Sequence, residues 1–313
     1  MSMIIRIFSV CLLLAASAPA HAADKLTLLL DWFVNPDHAP IIVAQEKGYF
    51  ADAGLEVEIV PPADPSAPPR LVAAGQGDIA ISYQPSLHQQ IGEGLPLVRI
   101  GTVVETPLNT LVVLADGPVK SIADLKGKTI GFSVGGFEDA LLKMMLSQEN
   151  LTLDNVKLVN VNFALSPALI AGQVDAVIGA FRNFELTQLK IEGREGKAFY
   201  PEEHGVPVYD ELIFIARKDR TNDEKLKRFM EVIERATIWM TNHPDAGWEL
   251  FKKAHPDLDN ALNRQAWIDT MPRFAKRPMA LDEVRYERFG EFMKAQGLIS
   301  ETVPVSDYAV VLK

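Results

Sequence analysis

Aromatic and hydrogen-bonding side chains stand directly after four apolar, strand-like segments of this sequence, where the ligand loops of a parallel sheet begin. They are Trp32, Asn35 and His38 after the first segment, Ser82 and Tyr83 after the second, Gly135, Gly136 and Phe137 after the third, and Phe181, Asn183 and Glu185 after the fourth. A flat heteroaromatic molecule needs aromatic faces above and below it, and donors or acceptors at its edge. These residue types therefore predict a binding site for a small, flat heterocycle.

The polar candidates differ in the ligand charge that they would favour. The carboxyl of Glu185 can accept a hydrogen bond from an exocyclic amine and, when it carries a proton, can donate one to a ring nitrogen. Arg182 and the backbone amides near Gly136 would instead favour an anion. Because an anion receptor is expected to offer more than one arginine and one helix start, a neutral or weakly charged ligand is predicted, with anions as the alternative.

Several candidates also have a purely structural interpretation. Trp32 and Tyr83 could be ordinary core aromatics. His38 could open its helix and bond a backbone carbonyl. Asp210 and Glu211 are expected mainly to hold a strand that returns from one domain to the other.

The sequence contains no pattern for a metal site or a catalytic thiol. Four further histidines lack metal-ligand spacing: His88, His204, His243 and His255. Cys11 is the single cysteine of the chain and lies within the apolar N-terminal run. We therefore expect no metal, no cofactor and no catalytic residue.

The N-terminal segment has the pattern of a secretory signal peptide. Arg6 gives a basic start, residues 7–16 are apolar, and Ala20-His21-Ala22 places small residues at the spacing that signal peptidase cleaves. The apolar run is shorter than the roughly 20 residues that a membrane-spanning helix needs, and Pro19 interrupts its end. Residues 1–23 are predicted to be a cleaved signal peptide that directs a soluble protein to the periplasm.

Composition narrows the classes of partner. The chain has 41 acidic and 31 basic residues, a net charge of −10 at pH 7 with histidine neutral. Such a surface is poorly suited to nucleic-acid phosphate or anionic lipid, so neither is an expected partner. The length of 313 residues allows about two domains.

Strand-like and helix-like segments alternate along the rest of the chain, which favours an α/β fold with a largely parallel sheet. Residues 71–80, Leu-Val-Ala-Ala-Gly-Gln-Gly-Asp-Ile-Ala, recur at 169–177 as Leu-Ile-Ala-Gly-Gln-Val-Asp-Ala-Val. Each copy has the pattern of a helix end, a glycine turn and a buried strand. Two βαβ lobes that face each other are predicted, with one large sheet as the alternative.

The predicted lobes are discontinuous in sequence. Two strand-like segments, residues 108–115 and 211–216, flank the second unit and predict a two-strand hinge, because few residues then absorb the rotation that opens a cleft. Lobe 1 is predicted to combine residues 24–113 with 213–313, and lobe 2 to comprise residues 114–212.

Several motifs together resemble one protein family. They are Leu28-Leu29-Leu30-Asp31-Trp32-Phe33, His38-Ala39-Pro40, Ala44-Gln45-Glu46-Lys47-Gly48-Tyr49-Phe50, Leu125-Lys126-Gly127-Lys128 and Pro201-Glu202-Glu203-His204-Gly205-Val206-Pro207-Val208-Tyr209-Asp210-Glu211-Leu212. Over nearly all of its mature length the chain resembles the periplasmic substrate-binding proteins for thiamine-pyrimidine precursors, formylaminopyrimidine or hydroxymethylpyrimidine, of the NMT1-like superfamily. The motifs at 47–50 and 125–128 are shared with relatives that bind sulfonates, nitrate, riboflavin or aromatic acids. The motifs at 31–33 and 209–212 are specific to a narrower set of relatives.

The resemblance implies a type II periplasmic binding fold with an aminopyrimidine bound between its lobes. It further implies a monomer that delivers this ligand to the permease of an ABC transporter in the inner membrane. A sulfonate, riboflavin or an aromatic acid is the alternative ligand. An extracellular sensor domain with the same fold is the alternative role.

The superfamily also contains an enzyme, a fungal synthase that makes the thiamine pyrimidine using pyridoxal phosphate. It carries a lysine and a histidine after its third strand and a cysteine-rich stretch near the returning hinge. An ungapped alignment places Ser82 at the lysine position and Ser86 at the histidine position. Serine cannot form the Schiff base, and residues 209–217 contain no cysteine, so a binding protein is expected rather than an enzyme.

Overall fold

The computed structural model describes residues 23–313, so the predicted signal peptide at 1–23 lies outside the described residues apart from Ala23. The strands of this part of the chain are β1 (Asp24–Leu29), β2 (Leu55–Val60), β3 (Ile79–Ser82), β4 (Leu97–Val104), β5 (Asn109–Leu114), β6 (Thr129–Phe132), β7 (Lys157–Asn160), β8 (Ala176–Phe181), β9 (Gly196–Phe199) and β10 (Leu212–Arg217). Its α-helices are α1 (Ala39–Glu46), α2 (Tyr49–Asp52), α3 (Pro68–Ala73), α4 (Gln84–Gly92), α5 (Glu138–Ser147), α6 (Leu165–Ile170), α7 (Glu185–Ile191), α8 (Glu224–Asn242), α9 (Pro244–Ala254), α10 (Ala261–Thr270) and α11 (Glu283–Ala295).

The strands form two five-stranded sheets with the same plan. The order is β2-β1-β3-β10-β4 in the first sheet and β7-β6-β8-β5-β9 in the second. In each sheet three neighbouring strands are parallel, and the fourth pairs with its neighbours in the antiparallel direction. The predicted fold class, α/β with two βαβ lobes, is confirmed.

The internal repeat of the sequence occupies equivalent positions in the two sheets. Gly75 and Gly172, each with a positive φ, end the turns after α3 and α6, which lead into β3 and β8. The carboxylate of Asp78 accepts the backbone N–H of Thr27 at 2.8 Å, and that of Asp175 accepts the N–H of Thr129 at 2.8 Å. Each aspartate therefore ties the incoming strand to its parallel neighbour.

The chain passes between the sheets at residues 105–108 and 200–211. The segments predicted as hinge strands form β5 and β10, and each belongs to one sheet. By sheet membership β5 lies in the second lobe, so the first crossing precedes β5, whereas the predicted boundary between residues 113 and 114 falls near its end. The predicted return boundary, between residues 212 and 213, falls at the start of β10.

The C-terminal helices cover the first sheet. Helix α8 buries one face, with Phe229, Met230 and Ile233 fully enclosed, and α8 and α9 both pack against α1. Burial of such a side chain contributes roughly 1.5 to 3 kcal/mol to the free energy of folding. The packing of this helix face therefore stabilises the sheet that carries the first ligand loop. Within residues 23–313, none of the helices is long and apolar enough to span a membrane.

Candidate functional site

A cavity lies between the two sheets, at the carboxyl ends of their parallel strands. Its volume is about 490 Å³ when the open space at its mouth is included. It is lined by Asp31, Trp32, Asn35, Asp37, His38, Tyr83, Glu138, Leu165, Gly179, Phe181, Phe184, Glu185 and Leu212. Both sheets therefore contribute to one site, as ligand loops at strand ends are expected to do.

The wall contributed by the first sheet is a buried hydrogen-bond network centred on Asp31. Its carboxylate contacts His38 Nε2 at 2.9 Å and accepts the hydroxyl of Tyr83 at 2.9 Å. Asn35 donates its backbone N–H to His38 Nδ1 at 3.3 Å, so the proton of the neutral ring lies on Nε2 and is donated to Asp31. Burial beside Asp31 raises the pKa of Tyr83 far above its ordinary value, which keeps this hydroxyl a donor.

Asn35 and His38 also shape the loop that carries them. The Asn35 side chain accepts the backbone N–H of Asp37 at 2.8 Å and caps a short turn at residues 36–38, which leads into α1. His38 is completely buried. The helix-opening role considered for His38 and its place at the cavity are thus compatible.

Trp32 stands at the mouth of the cavity among aromatic rings from both sheets. The ring centroid of Phe163, which follows β7 of the second sheet, lies 4.6 Å from that of Trp32 in an edge-to-face arrangement. Phe33 lies 4.3 Å from Phe163 and is 52% exposed. The indole is therefore oriented by the opposite lobe, which the sequence pattern did not indicate.

A second contact across the cleft joins Asn183 to Asp37 and Thr270. The Asn183 side-chain N–H donates to the Asp37 carboxylate at 2.7 Å and to the Thr270 hydroxyl at 2.6 Å. Asp37 follows β1, whereas Asn183 follows β8 of the other sheet. Burial raises the pKa of Asp37 to about 6, although the hydrogen bonds from Thr270 and Asn183 oppose this rise.

Glu138 and Glu185 bring two further carboxyl groups to the cavity. Each is the first residue of its helix, α5 or α7, and each accepts a backbone N–H at 2.6 Å, from Ser133 and from Phe181 respectively. Burial raises the pKa of each to about 8, against the lowering effect of those backbone bonds. Both carboxyl groups therefore ionise less readily than an exposed glutamate.

The charge of the lining is one-sided. It contains four carboxyl groups, those of Asp31, Asp37, Glu138 and Glu185, and none of the described residues that line it is a lysine or an arginine. Arg182 instead pairs with Glu202 through two contacts of 2.6 and 3.0 Å. Arg182, on which the alternative of an anionic ligand depended, therefore does not line the cavity.

The structure separates the eleven predicted site residues into three groups. Trp32, Asn35, His38, Tyr83, Phe181 and Glu185 line the cavity. Phe137 stacks on Tyr83 across the cleft with centroids 4.7 Å apart, and Asn183 makes the interlobe bond. Ser82, Gly135 and Gly136 line a second cavity, which Tyr83 also lines.

Sequence reasoning missed seven lining residues: Asp31, Asp37, Glu138, Leu165, Gly179, Phe184 and Leu212. Glu138 directly follows the predicted Phe137, and Asp31 precedes the predicted Trp32, so a wider window around each strand end includes both. Gly179 lies inside β8, and only the fold shows that its missing side chain makes room for the Glu138 carboxyl.

The structural interpretation of Asp210 and Glu211 agrees with their contacts. The Glu211 carboxylate accepts the backbone N–H groups of Leu108 at 2.5 Å and Asn109 at 3.0 Å, which joins the two segments that cross between the sheets. Asp210 accepts the hydroxyl of Thr102 at 2.8 Å. Neither residue lines the cavity.

The residue types that the synthase chemistry considered above requires can be compared with the cavity lining. Ser82 is buried, and its hydroxyl lacks a hydrogen-bond partner among the described residues, but no lysine of the described chain lines the cavity to form a Schiff base. Among residues 23–313, no group of three or more potential side-chain ligands is placed to hold a metal ion.

Comparison with known proteins identifies relatives along the whole chain. The model of the NMT1/THI5-like family matches residues 35–247. The putative thiamine biosynthesis protein of Haemophilus influenzae is 52% identical over 314 residues, covering 100% of both chains. The formylaminopyrimidine-binding protein of Halalkalibacterium halodurans is 36% identical over 227 residues, covering 72% of this chain and 69% of that protein.

More distant matches carry other names. The 4-amino-5-hydroxymethyl-2-methylpyrimidine phosphate synthase of Legionella pneumophila is 26% identical over 293 residues, covering 92% of both proteins. The structure of the alkanesulfonate-binding protein SsuA of Xanthomonas axonopodis pv. citri, bound to MOPS, superposes with a TM-score of 0.70 at 16% identity, covering 91% of this chain and 97% of that one. The predicted periplasmic-binding-protein fold is thereby confirmed.

Proposed function

Because this chain belongs to the NMT1/THI5-like family, as its motifs predict, we propose that it is a solute-binding protein whose ligand is an aminopyrimidine precursor of thiamine. The observation that carries this proposal is the cavity lining, in which carboxyl groups stand beside aromatic faces and none of the described residues is a lysine or an arginine. An aminopyrimidine offers amine hydrogens to such acceptors and a flat ring to the aromatic side chains.

The same lining disfavours the alternative ligands that are anions. A sulfonate or an aromatic carboxylate would enter a cavity with four carboxyl groups, where any ionised carboxylate repels it. Arg182, the cation that the sequence suggested for an anionic ligand, is already paired with Glu202. The likeness to SsuA therefore extends to the fold and not to the ligand.

Three predicted side chains take direct roles in this proposal. Trp32 and Phe181 supply aromatic faces from opposite lobes, and Glu185 reads the ring edge from the first turn of α7. Asn35 is engaged by its own loop: its side-chain oxygen accepts from Asp37 N–H and its amide donates to Phe33 O at 3.0 Å. We therefore assign Asn35 to shaping the loop, with its remaining hydrogen-bonding capacity open to the ligand.

Closure of the lobes traps the ligand in this proposal. The crossings at 105–108 and 200–211 act as the hinge, and Glu211 holds them together. The Asn183–Asp37 bond and the Tyr83–Phe137 stack form only when the lobes meet. A closed, monomeric receptor in the periplasm would then present both lobes to an ABC permease.

An enzyme is the second candidate, because synthases are relatives at lower identity. The binding role is favoured since the 36% identical relative is named for binding and serines occupy the positions of the fungal lysine and histidine. Incubation with pyridoxal phosphate tests this point. The appearance of an imine absorbance that borohydride makes permanent would support the enzyme.

Titration calorimetry tests the proposed ligand directly. Formylaminopyrimidine and 4-amino-5-hydroxymethyl-2-methylpyrimidine are expected to bind, whereas taurine and benzoate are not. Trp32→Ala should weaken binding by roughly 1 to 3 kcal/mol, the range for stacking of a base on an aromatic ring. Trp239→Phe is the matched control, because Trp239 stacks on His243 and does not line the cavity. Tight binding of taurine without any pyrimidine heat contradicts the proposal.

A further inference from the structure

The two glutamates of the second lobe are placed by the same local device. Strand β6 leads through a short loop to α5, and β8 leads through another to α7. In each unit the first helical residue, Glu138 or Glu185, returns one carboxyl oxygen to a backbone N–H near the end of the strand, at 2.6 Å. Because β6 and β8 are hydrogen-bonded neighbours, the two carboxyls reach the same cavity.

In each carboxyl the oxygen that accepts this bond is Oε2, and a second backbone N–H, that of Val134 for Glu138 and its own for Glu185, also bonds the group. Glu138 Oε1 lies against Gly179, where any side chain would overlap it. Glu138 is 3% exposed and Glu185 is 8% exposed, and both residues line the cavity, so both carboxyl groups are largely shielded from bulk water.

We propose that Glu138 and Glu185 read the ligand as a pair, in which Glu138 keeps its proton and donates it to a ring nitrogen while Glu185 gives up its proton and accepts from the exocyclic amine. This inference rests on the proposed function and narrows it to heterocycles that carry an acceptor ring nitrogen and a donor amine. Glu138 takes the donor role because two acidic groups, its neighbour Asp139 on α5 and Glu211 just before β10, oppose its ionisation, whereas Asp37 alone does so for Glu185.

Other titratable groups surround the pair and are constrained by their own bonds. Facing it from the first lobe are Asp31, Asp37, His38 and Tyr83; from its own lobe and the hinge come Asp139, Arg182 and Glu211. Burial raises the pKa of Glu211 to about 7, but Glu211 lies at the hinge and not in the cavity. Variants measured over the same range of pH therefore distinguish the effect of Glu138 and Glu185 on affinity from that of the other titratable groups.

The pair predicts a bell-shaped dependence of affinity on pH. In the empty protein both groups have a pKa of about 8, so at pH 7 both carry protons and binding must release one from Glu185. At pH 9.5 both are ionised, and binding must add one proton to Glu138. Affinity should thus be greatest near pH 8 and fall by up to about tenfold per pH unit on either side.

Two isosteric variants should remove opposite sides of this profile. Glu138→Gln supplies an amide N–H in place of the acid O–H, so the fall above pH 8 should disappear while affinity at pH 8 stays within about tenfold of the wild type. Glu185→Gln removes the carboxylate acceptor, so affinity at pH 8 should fall about 10- to 100-fold and the fall below pH 8 should disappear. Glu149→Gln, exposed beyond the end of α5, is the control with the same charge change and should keep the full profile.

The experiment is titration calorimetry with 4-amino-5-hydroxymethyl-2-methylpyrimidine from pH 6.5 to 9.5. Buffers of different ionisation enthalpy give the number of protons exchanged, after subtraction of the titration of the free ligand. The wild type should release about one proton at pH 7 and take up about one at pH 9.5. The proton exchange of the wild type tests the proposed roles of the pair even if a variant fails to fold. Circular dichroism would show such a failure.

The outcomes separate this inference from the proposed function. Binding with no proton exchange, or a Glu138→Gln profile identical to that of the wild type, overturns the pair but leaves the aminopyrimidine receptor intact. Loss of the low-pH side in Glu138→Gln reverses the two roles and overturns the assignment. Absence of pyrimidine binding by the wild type at every pH overturns the proposed function together with this inference.

Discussion

Replacement of Asn183 by alanine should open the lobes and weaken ligand binding. The Asn183 amide donates to Asp37 at 2.7 Å and to Thr270 at 2.6 Å, and both acceptors lie on the far side of the cleft. A bond to a charged group contributes about 1.5 to 3 kcal/mol and a bond to a neutral group about 0.5 to 1.5 kcal/mol. The closed state should therefore lose about 2 to 4 kcal/mol, since alanine supplies neither bond.

This loss of free energy predicts the size of the change in ligand affinity. A change of 2 to 4 kcal/mol shifts the balance between open and closed states by about 30- to 700-fold. If ligand is retained only by the closed state, the dissociation constant should rise by up to the same factor. The variant should bind with nearly unchanged association rate and faster release, because the bond forms after the lobes meet.

Small-angle scattering and calorimetry together provide the assay. The wild type should become more compact at saturating ligand, and Asn183→Ala should need higher ligand concentrations to reach the same radius of gyration. Asn222→Ala is the control, because Asn222 is exposed in the turn before α8. Equal affinity and equal compaction in Asn183→Ala and the wild type would refute the argument that this bond stabilises closure.

Three further predictions concern the same cleft. Gly179→Ala should abolish binding and lower the melting temperature in thermal denaturation, because the added carbon overlaps the Glu138 carboxyl and the residue has φ +98°. Tyr83→Phe should weaken binding measured by calorimetry by about 0.5 to 3 kcal/mol, since Asp31 loses the hydroxyl that it accepts at 2.9 Å. Lowering the pH from 7 to 5 should favour closure of the unliganded protein in scattering, because burial raises the pKa of Asp37 to about 6 and the closed state binds more protons in that range; an unchanged radius would contradict it.

The fold was predictable because its signals are local and repeated. The two copies of the helix, glycine and aspartate pattern around Asp78 and Asp175 each perform the same task, the capture of a backbone N–H on the neighbouring strand. Because both copies must make the same local hydrogen bond, the same residue pattern occurs twice in the sequence. Sheet membership of β5 was harder, since an apolar strand that is buried on both faces reads the same in either lobe.

The candidate site was only partly predictable, for a different physical reason. Strand ends identified the loops that carry Trp32 and Glu185, but the contacts across the cleft depend on how two lobes meet. Phe163 orients Trp32 from the other sheet, and no spacing in the sequence relates these two residues. Ser82 ends β3 and Gly135 follows β6, yet both line a second cavity that shares only Tyr83 with the first.

The carboxyl groups of the cavity are better explained by binding than by stability. Burial of an acid without a basic partner costs free energy whenever it ionises, and the raised pKa values of Glu138 and Glu185 express that cost. In both groups the folded state binds more protons than the unfolded chain, so their unfavourable effect on folding grows as the pH rises from about 4.5 to 8. An apolar residue at either position would avoid this loss, whereas an amine-bearing ligand offsets it by donating hydrogen bonds to the ionised group. The acids thus weaken the unliganded protein under the same conditions in which we propose that they select the ligand.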